Sequence, residues 1–272
     1  MAIGFNADAQ QAAFARNRIQ NDPTQNFQRI SSGSRINSAA DDAAGLLIST
    51  GFTASISGTE QAIRNSNDAI SLNQTAEGAV SSVQDDLQRI RELSAQSSNG
   101  TLTDQDRQGL QAEVDQLVEN ISETISGSDF NGISLLNDDS DVNFQVGPDA
   151  GDTLTLERGN LEQQLADLGI NDINISTQAG AQSALGVVDD ALDVTSQAAA
   201  NFGANQNRLS STIDNLANTV VNESAANSRI ADADLAKEIS ELASRLVKEE
   251  AQNSAQAQAN SNFKIMLRLF EG

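Results

Sequence analysis

The chain has 272 residues, a net charge of −22, and no Cys, His, Trp or Tyr. Thiolate and imidazole chemistry, Ser-His-Asp triads, Cys/His zinc sites and disulfides are therefore excluded, and only carboxylate or Lys/Ser chemistry remains. Nine Phe are the only aromatic residues and there are only two Pro, which argues for long uninterrupted helices over a compact enzyme core.

The opening residues MAIGFNADAQ have neither the basic start nor the apolar run of a secretory leader. Phe5, Ala9, Ala12 and Ile19 make a thin apolar stripe. It breaks at NDPT (21–24), where Asp22 can cap a new helix with Pro23 in its first turn. RISSGSRINSAADDAAGLLIS (29–49) is unusually polar for a segment that adjoins long helical periodicity. Its Asp41-Asp42 pair has the residue types of a catalytic acid and base. Adjacent helical residues point about 100° apart, however, and acidic side chains at a helix start favour the macrodipole, so capping is the expected role.

In residues 60–97, Ala76, Val80, Val83, Leu87 and Ile90 recur at 4-3-4-3 spacing and continue to Leu93, the seam of a helix. SSNGTLTD (97–104) reads as a turn, and Leu110, Val114, Leu117 and Ile121 mark a second helix over 104–126 that starts at Thr103-Asp104. The period then changes to two. Val142, Phe144 and Val146 alternate with polar residues, PDAG (148–151) supplies a turn, and Leu154 and Leu156 alternate again, which predicts a β-hairpin at about 139–158. Ile173 and Ile175 are candidates to extend that sheet. DDSDVN (138–143) resembles a calcium loop through Asp139, Asp141 and Asn143, but it lacks Gly at the sixth position and has Ala150 where the twelfth-position Glu belongs. No cofactor or metal is expected.

The clearest periodicity lies in residues 183–222. Leu185, Val188, Leu192, Thr195, Ala199, Phe202, Gln206, Leu209, Ile213, Leu216 and Val220 are spaced 3-4-3-4 without a slip, a heptad seam of about 60 Å that needs partner helices. Beyond it, Leu235, Ile239, Leu242 and Leu246 hold 4-3-4 spacing, then KEEAQNSAQAQANSN (248–262) is polar throughout before FKIMLRLF. The expected fold is mainly α: a long antiparallel helical bundle with coiled-coil seams and a small hairpin on one flank. Each end has few apolar side chains to offset the entropy of ordering it, so both ends are expected to be largely disordered in the monomer and to fold on assembly.

Charge follows the same division. Residues 1–40 carry net +2 and residues 248–272 net 0, so the −24 that completes the total lies between 41 and 247. Near-neutral ends around an acidic middle point to ends that pack against copies of the chain. Phosphate is repelled by such a chain, so no nucleic acid is expected as a partner. The longest apolar stretch, AAGLLI, falls far short of the roughly 20 residues of a membrane span, so no membrane partner is expected either.

ISSGSRINSAADDAAGLLIS (30–49) closely resembles the hallmark segment of bacterial flagellin, the subunit of the flagellar filament. So do RNSNDAISLNQTAEGAVSSVQDDLQRIRELSAQSSNGT (64–101) and DFNGISLL (129–136), while NLANTVVNESAANSRIADADLAKEIS (215–240) is similar to the family's C-terminal segment. The resemblance implies a self-assembling structural protein and no enzyme. Residues 1–40 and 230–272 would be inner helices lining the filament core, 41–229 the rod-like bundle, and the polar 31–42 stretch a spoke between those layers. The large variable outer domains of longer flagellins are missing, and the hairpin region runs directly into the third long helix. The chain departs from the family in RNRIQNDPTQNFQRIS, which has a Pro and an extra Arg where a Leu-rich stripe is common, and in SGS where SGL is common.

QRIRELSAQ (88–96) has the pattern that, in the family, is bound by the host Toll-like receptor for flagellin. The matching positions are Gln88, Arg89, Leu93 and, in QAEVDQ, Glu113. An exposed Arg beside an apolar Leu suits a desolvated contact, and the same face is where subunits would abut. The resemblance further implies the flagellar export apparatus, a chaperone that binds the C-terminal end, and the filament cap and junction proteins as partners. It places the chain outside the cell, exported through the flagellar channel. Asn120, Asn174 and Asn222 begin N-x-S sequons, read as chance matches in such a protein. An inserted metalloprotease would need His, which the chain lacks. The nearest rival is a hook-filament junction protein, which adds only a short ring. A soluble coiled-coil adaptor or an enzyme would instead have ordered ends and form no polymer.

Overall fold

Long runs free of Pro become long helices in the computed structural model, which describes Phe14 and residues 23–271. The N-terminal stripe positions Phe5, Ala9, Ala12 and Ile19, and the cap candidate Asp22, lie outside the described residues. Helix α1 (Pro23–Ser32) starts on its proline, whose fixed φ suits a first turn. It is followed by α2 (Ala43–Ser97), α3 (Asp104–Ser126), α4 (Leu161–Asp167), α5 (Gln178–Ala231) and α6 (Leu235–Glu271). Two antiparallel strand pairs separate α3 from α4: β1 (Asp129–Phe130) with β2 (Ile133–Ser134), and β3 (Val142–Gln145) with β4 (Thr153–Leu156). The chain divides into two compact units, Ser55–Val221 and the remainder on both sides, so α2 and α5 contribute to each. The layer boundaries expected from the resemblance fall at 40/41, in the connection between α1 and α2, and at 229/230, in the last turn of α5.

In the Ser55–Val221 unit, α2 buries Thr59, Ala62, Ser66, Ala69, Asn73, Ala76, Val80, Val83, Leu87, Ile90, Ser94 and Ser97, with Leu72 and Leu93 buried beside this row. The main row is an unbroken 3-4 repeat, but its first half consists of small and polar side chains, with Leu72 as the one large aliphatic group beside it, and its second half mostly of branched aliphatic ones. Opposite it, α5 buries Ala181, Ala184, Val188, Ala191, Thr195, Phe202 and Leu209. From α3 come Val114, Ile121 and Ile125. Leu135, Leu136, Leu156, Leu161, Leu165 and Ile170 close the same core from the segment between α3 and α5.

Local signals explain where the elements stop. Thr103 accepts from the Asp106 N–H while Asp106 accepts from the Thr103 N–H, a reciprocal capping box at the start of α3. The preceding turn wraps a buried guanidinium: Arg107, 4 % exposed, donates to the carbonyls of Asn99 (2.9 Å) and Leu102 (3.4 Å). Asn131 and Gly132, with φ of 54° and 78°, form the two-residue turn between β1 and β2, a place where Asn-Gly is favoured.

The β3–β4 hairpin pairs Val142 with Leu156 and Gln145 with Thr153. It lies on α2, where Asn65 donates to the Gln145 carbonyl at 3.0 Å. A Cβ on Gly58 would stand only 3.1 Å from that of Pro148 in the hairpin turn. Ile173 and Ile175 do not extend this sheet. They follow a 3-10 turn (Ile170–Asp172) and are buried in the bundle core instead. Their backbone groups are satisfied by α3 and α2: Gln111 bonds both the Ile175 N–H (2.6 Å) and the Ile173 carbonyl (3.0 Å), and the Ser97 hydroxyl donates to the Ile175 carbonyl.

Candidate functional site

The polar segment 33–42 is ordered by contacts to the other end of the chain. Ser34 bridges antiparallel to Asp232, the Arg35 N–H donates to the Ala231 carbonyl (2.6 Å), and the Ala233 N–H donates to the Gly33 carbonyl (2.9 Å). The Ser34 hydroxyl and the Arg35 guanidinium add bonds to the carbonyls of Ala231 and Ile230, which α5 leaves without helical partners at its C-terminus. Gly33, at φ 70°, supplies the left-handed residue that lets α1 end and the clasp begin.

Asp42 accepts from the Gly45 N–H at 2.8 Å and so caps α2. Asp41 instead gathers the Ser38 hydroxyl and the Asn37 and Ser38 N–H groups, which hold its carboxyl below the usual range, the Ser38 hydroxyl most of all. The two carboxylates thus organise one turn and one helix start. Beside the clasp, α1 packs on α6 through a buried polar group: Glu238 accepts from Asn26 (2.8 Å) and from Arg29 (3.4 Å).

The ends leave apolar side chains uncovered. Among the described residues, Phe14, Phe27, Leu47, Ile48, Leu235, Ile239, Leu246, Val247 and Ile265 are exposed large hydrophobics outside Ser55–Val221, against only Ile133 and Val221 within it. Burial in the bundle and exposure at the ends is the pattern of surfaces that await a partner.

On the bundle, Gln88 and Arg89 are exposed, and Arg89 reaches across from α2 to Glu113 of α3 at 2.7 Å while also touching Glu92 at 3.1 Å. The hydrogen bond to Glu113, then that to Glu92, hold the guanidinium still more firmly protonated. Leu93 is different. It is 1 % exposed and belongs to the core, so its side chain supports this face from beneath and is not presented on it. Arg91 turns the other way and pairs with Asp189 of α5 at 2.6 Å.

Along α5, Val188, Phe202 and Leu209 are buried, whereas Leu185, Leu192, Ile213, Leu216 and Val220 are half-buried. Ala184 and Ala191 take the deepest positions next to Leu185 and Leu192, because a methyl group allows the helices to approach more closely than an isobutyl group does.

Segment 138–143 is built around a cation of the chain's own. Arg158 donates to the carbonyls of Ser134 and Ser140, to the Ser140 hydroxyl (2.7 Å) and to Asp138 (3.3 Å), with its side chain only 4 % exposed. The Ser140 hydroxyl and N–H, ahead of Arg158, hold the Asp138 carboxyl below the usual range. Among the described residues no group of three or more acidic side chains is placed to hold a metal ion, and no helix is long and apolar enough to cross a membrane. Sequence reading missed Arg158, Arg107 and the clasp. None has a periodic signature, although an Arg beside a loop rich in carbonyl groups is the residue type such loops need.

The profile of the bacterial flagellin N-terminal helical region matches residues 3–141, and that of the bacterial flagellin C-terminal helical region matches residues 185–270. A flagellin from Halalkalibacterium halodurans is 44 % identical over 197 residues, 72 % of each chain. The phase 1 flagellin of Salmonella naestved is 41 % identical over 160 residues, which cover 59 % of this chain but 31 % of that longer one. The crystal structure of Bacillus cereus flagellin superposes with a TM-score of 0.51 at 30 % identity, covering 56 % of this chain and 88 % of that one. A putative flagellar hook-associated protein from Vibrio parahaemolyticus shares the fold, with a TM-score of 0.59 at 17 % identity over 71 % of this chain and all of that one. With both helical regions matched in order and the helical bundle in place, the chain belongs to the bacterial flagellin family.

Proposed function

We infer that this chain is a structural subunit of the extracellular flagellar filament, a homopolymer, and that its assembly couples folding of the ends to association. The observation that carries the second part is the set of exposed apolar side chains on the ends. The nine are each about half exposed or more, so covering what remains of them is worth roughly 8–16 kcal/mol per subunit before ordering costs. That gain exists only in the polymer, which keeps the monomer soluble and makes the filament stable. On this reading residues 1–40 and 230–272 are inner helices, and the α5 seam from Leu185 to Val220 belongs to the rod-like bundle of 41–229.

Export in an unfolded state, delivery by a chaperone bound to the C-terminal end, and addition beneath a cap follow from the same need to keep these ends apart until they meet the filament. The face bearing Gln88, Arg89 and Glu113 supplies lateral subunit contacts, and a host flagellin receptor would read it secondarily. A junction-ring role is not favoured, because both flagellin helical regions are matched, over residues 3–141 and 185–270.

Electron microscopy of purified protein seeded with filament fragments at moderate salt tests the reading. Long tubes with the terminal helices innermost are expected. Short rings, or monomers that persist beside intact seeds, would overturn it.

A further inference from the structure

Asn-Gly occurs twice in the chain, at 99–100 and at 131–132, and all four residues are exposed. This dipeptide permits a reaction of the chain with itself. The backbone nitrogen of the glycine attacks the side-chain carbonyl carbon of the asparagine, unhindered by a Cβ. The amide C–N bond breaks, ammonia leaves, and the glycine nitrogen gives up its proton to water or hydroxide. The five-membered imide is then opened by water at either carbonyl, giving aspartate or its β-linked isomer. Attack requires the peptide between the two residues to turn, so its hydrogen bonds set the rate.

The two sites differ in those bonds. The Asn99 side-chain oxygen accepts from the Thr101 N–H (3.2 Å), and its carbonyl accepts from the Leu102 N–H (3.3 Å) and from the buried guanidinium of Arg107 (2.9 Å). Turning that peptide breaks a charge-assisted bond. At Asn131 neither the side chain nor the Gly132 N–H has a hydrogen-bond partner among the described residues, so no such bond is broken when that peptide turns.

We propose that Asn131-Gly132 is a self-modification site of the folded subunit, losing ammonia through the imide, and that Asn99-Gly100 is protected by the turn around Arg107. The product matters to the fold. Either isomer puts a new carboxylate two residues from Asp129, and the β-linked one adds a backbone atom to a turn that must keep Phe130 opposite Ile133. Leu135 and Leu136, immediately downstream, are both fully buried.

Cleavage after Arg91, Arg107 and Arg158 places the two sites in separate tryptic peptides, 92–107 and 108–158. The full chain is incubated at mildly alkaline pH, native and in denaturant, and both peptides are followed by mass spectrometry that separates aspartate from its isomer. In denaturant the two sites should react at similar rates. In the native chain, Asn99 should fall behind Asn131 by about ten-fold or more, the factor that one charge-assisted hydrogen bond supplies. Native rates that stay equal, or an Asn131 slowed as much as Asn99, would overturn the proposal.

Discussion

Replacing Arg158 by Met keeps the volume of the side chain and removes its charge and every donor. In the native subunit that guanidinium serves two carbonyls and a hydroxyl in a site where it is 4 % exposed, and its carboxylate partner Asp138 is 52 % exposed. The loss is therefore chiefly that of hydrogen bonds from a buried charged donor. Each is worth about 1.5–3 kcal/mol before water returns to the exposed Ser140 loop. A net cost of about 3 kcal/mol follows, at the low end for breaking a buried charged site. For a unit of this size that lowers the melting temperature by about 6–12 °C. Because the chain has no Trp or Tyr, the assay is a melt followed by far-ultraviolet circular dichroism, not intrinsic fluorescence. Asp138→Asn is the control. If the carbonyls dominate, it costs only a small fraction of what Arg158→Met does. Equal losses for the two variants, or a loss below about 1 kcal/mol for Arg158→Met, would refute the assignment of this arginine as the keystone of the hairpin base.

Gly58→Ala should be close to neutral, since the helix propensity gained offsets a contact of 3.1 Å with Pro148, whereas Gly58→Leu should cost about 1–3 kcal/mol by lifting the hairpin, as read from denaturant melts. The Asp106 carboxyl is held below its ordinary value, first by the Thr103 hydroxyl, so its folded-state pKa lies under its unfolded one. Its contribution is complete above about pH 4 and is lost as pH falls through the folded value, so Asp106→Asn should flatten part of the acid-induced fall in melting temperature below pH 4. Packing subunits with a net charge of −22 side by side is opposed by repulsion whose range falls from about 10 Å at 0.1 M salt to about 3 Å at 1 M. Sedimentable filament should therefore rise with NaCl up to seawater strength, as a salt-tolerant source would require, and a fall would contradict this. Amides of residues 239–265 in α6 should exchange rapidly in dilute monomer and slowly in filaments, and strong protection in the monomer would remove the coupling of folding to assembly.

The aliphatic half of the α2 seam is legible in the sequence because Val80, Val83, Leu87 and Ile90 repeat visibly. Thr59, Ser66 and Asn73 continue the same repeat with side chains that read as surface, so that half emerges only from the fold. The hairpin follows from alternation around PDAG. The smaller β1–β2 pair emerges only from the fold, because two-residue strands have no period to detect. Ile173 and Ile175 alternate like a strand, yet alternation over three residues cannot distinguish a sheet from a buried connector held by Gln111. The caps at Asp42 and Thr103 are local and were legible. The clasp and the Arg107 and Arg158 sites are not, because each joins a single side chain or peptide to carbonyls that only the folded chain brings near.

The change of lining along α2 has a mechanical consequence. From Val80 to Ile90 interlocked aliphatic side chains resist axial slip with many dispersion contacts per residue. From Thr59 to Ala76 Leu72 is the one large aliphatic side chain that α2 buries, the other buried groups being methyl, hydroxyl and amide, and Thr59 and Asn73 each keep a buried oxygen without a partner. The same shear applied along the helix therefore meets a stiff spring in one half and a compliant one in the other, and elastic strain collects in the compliant half.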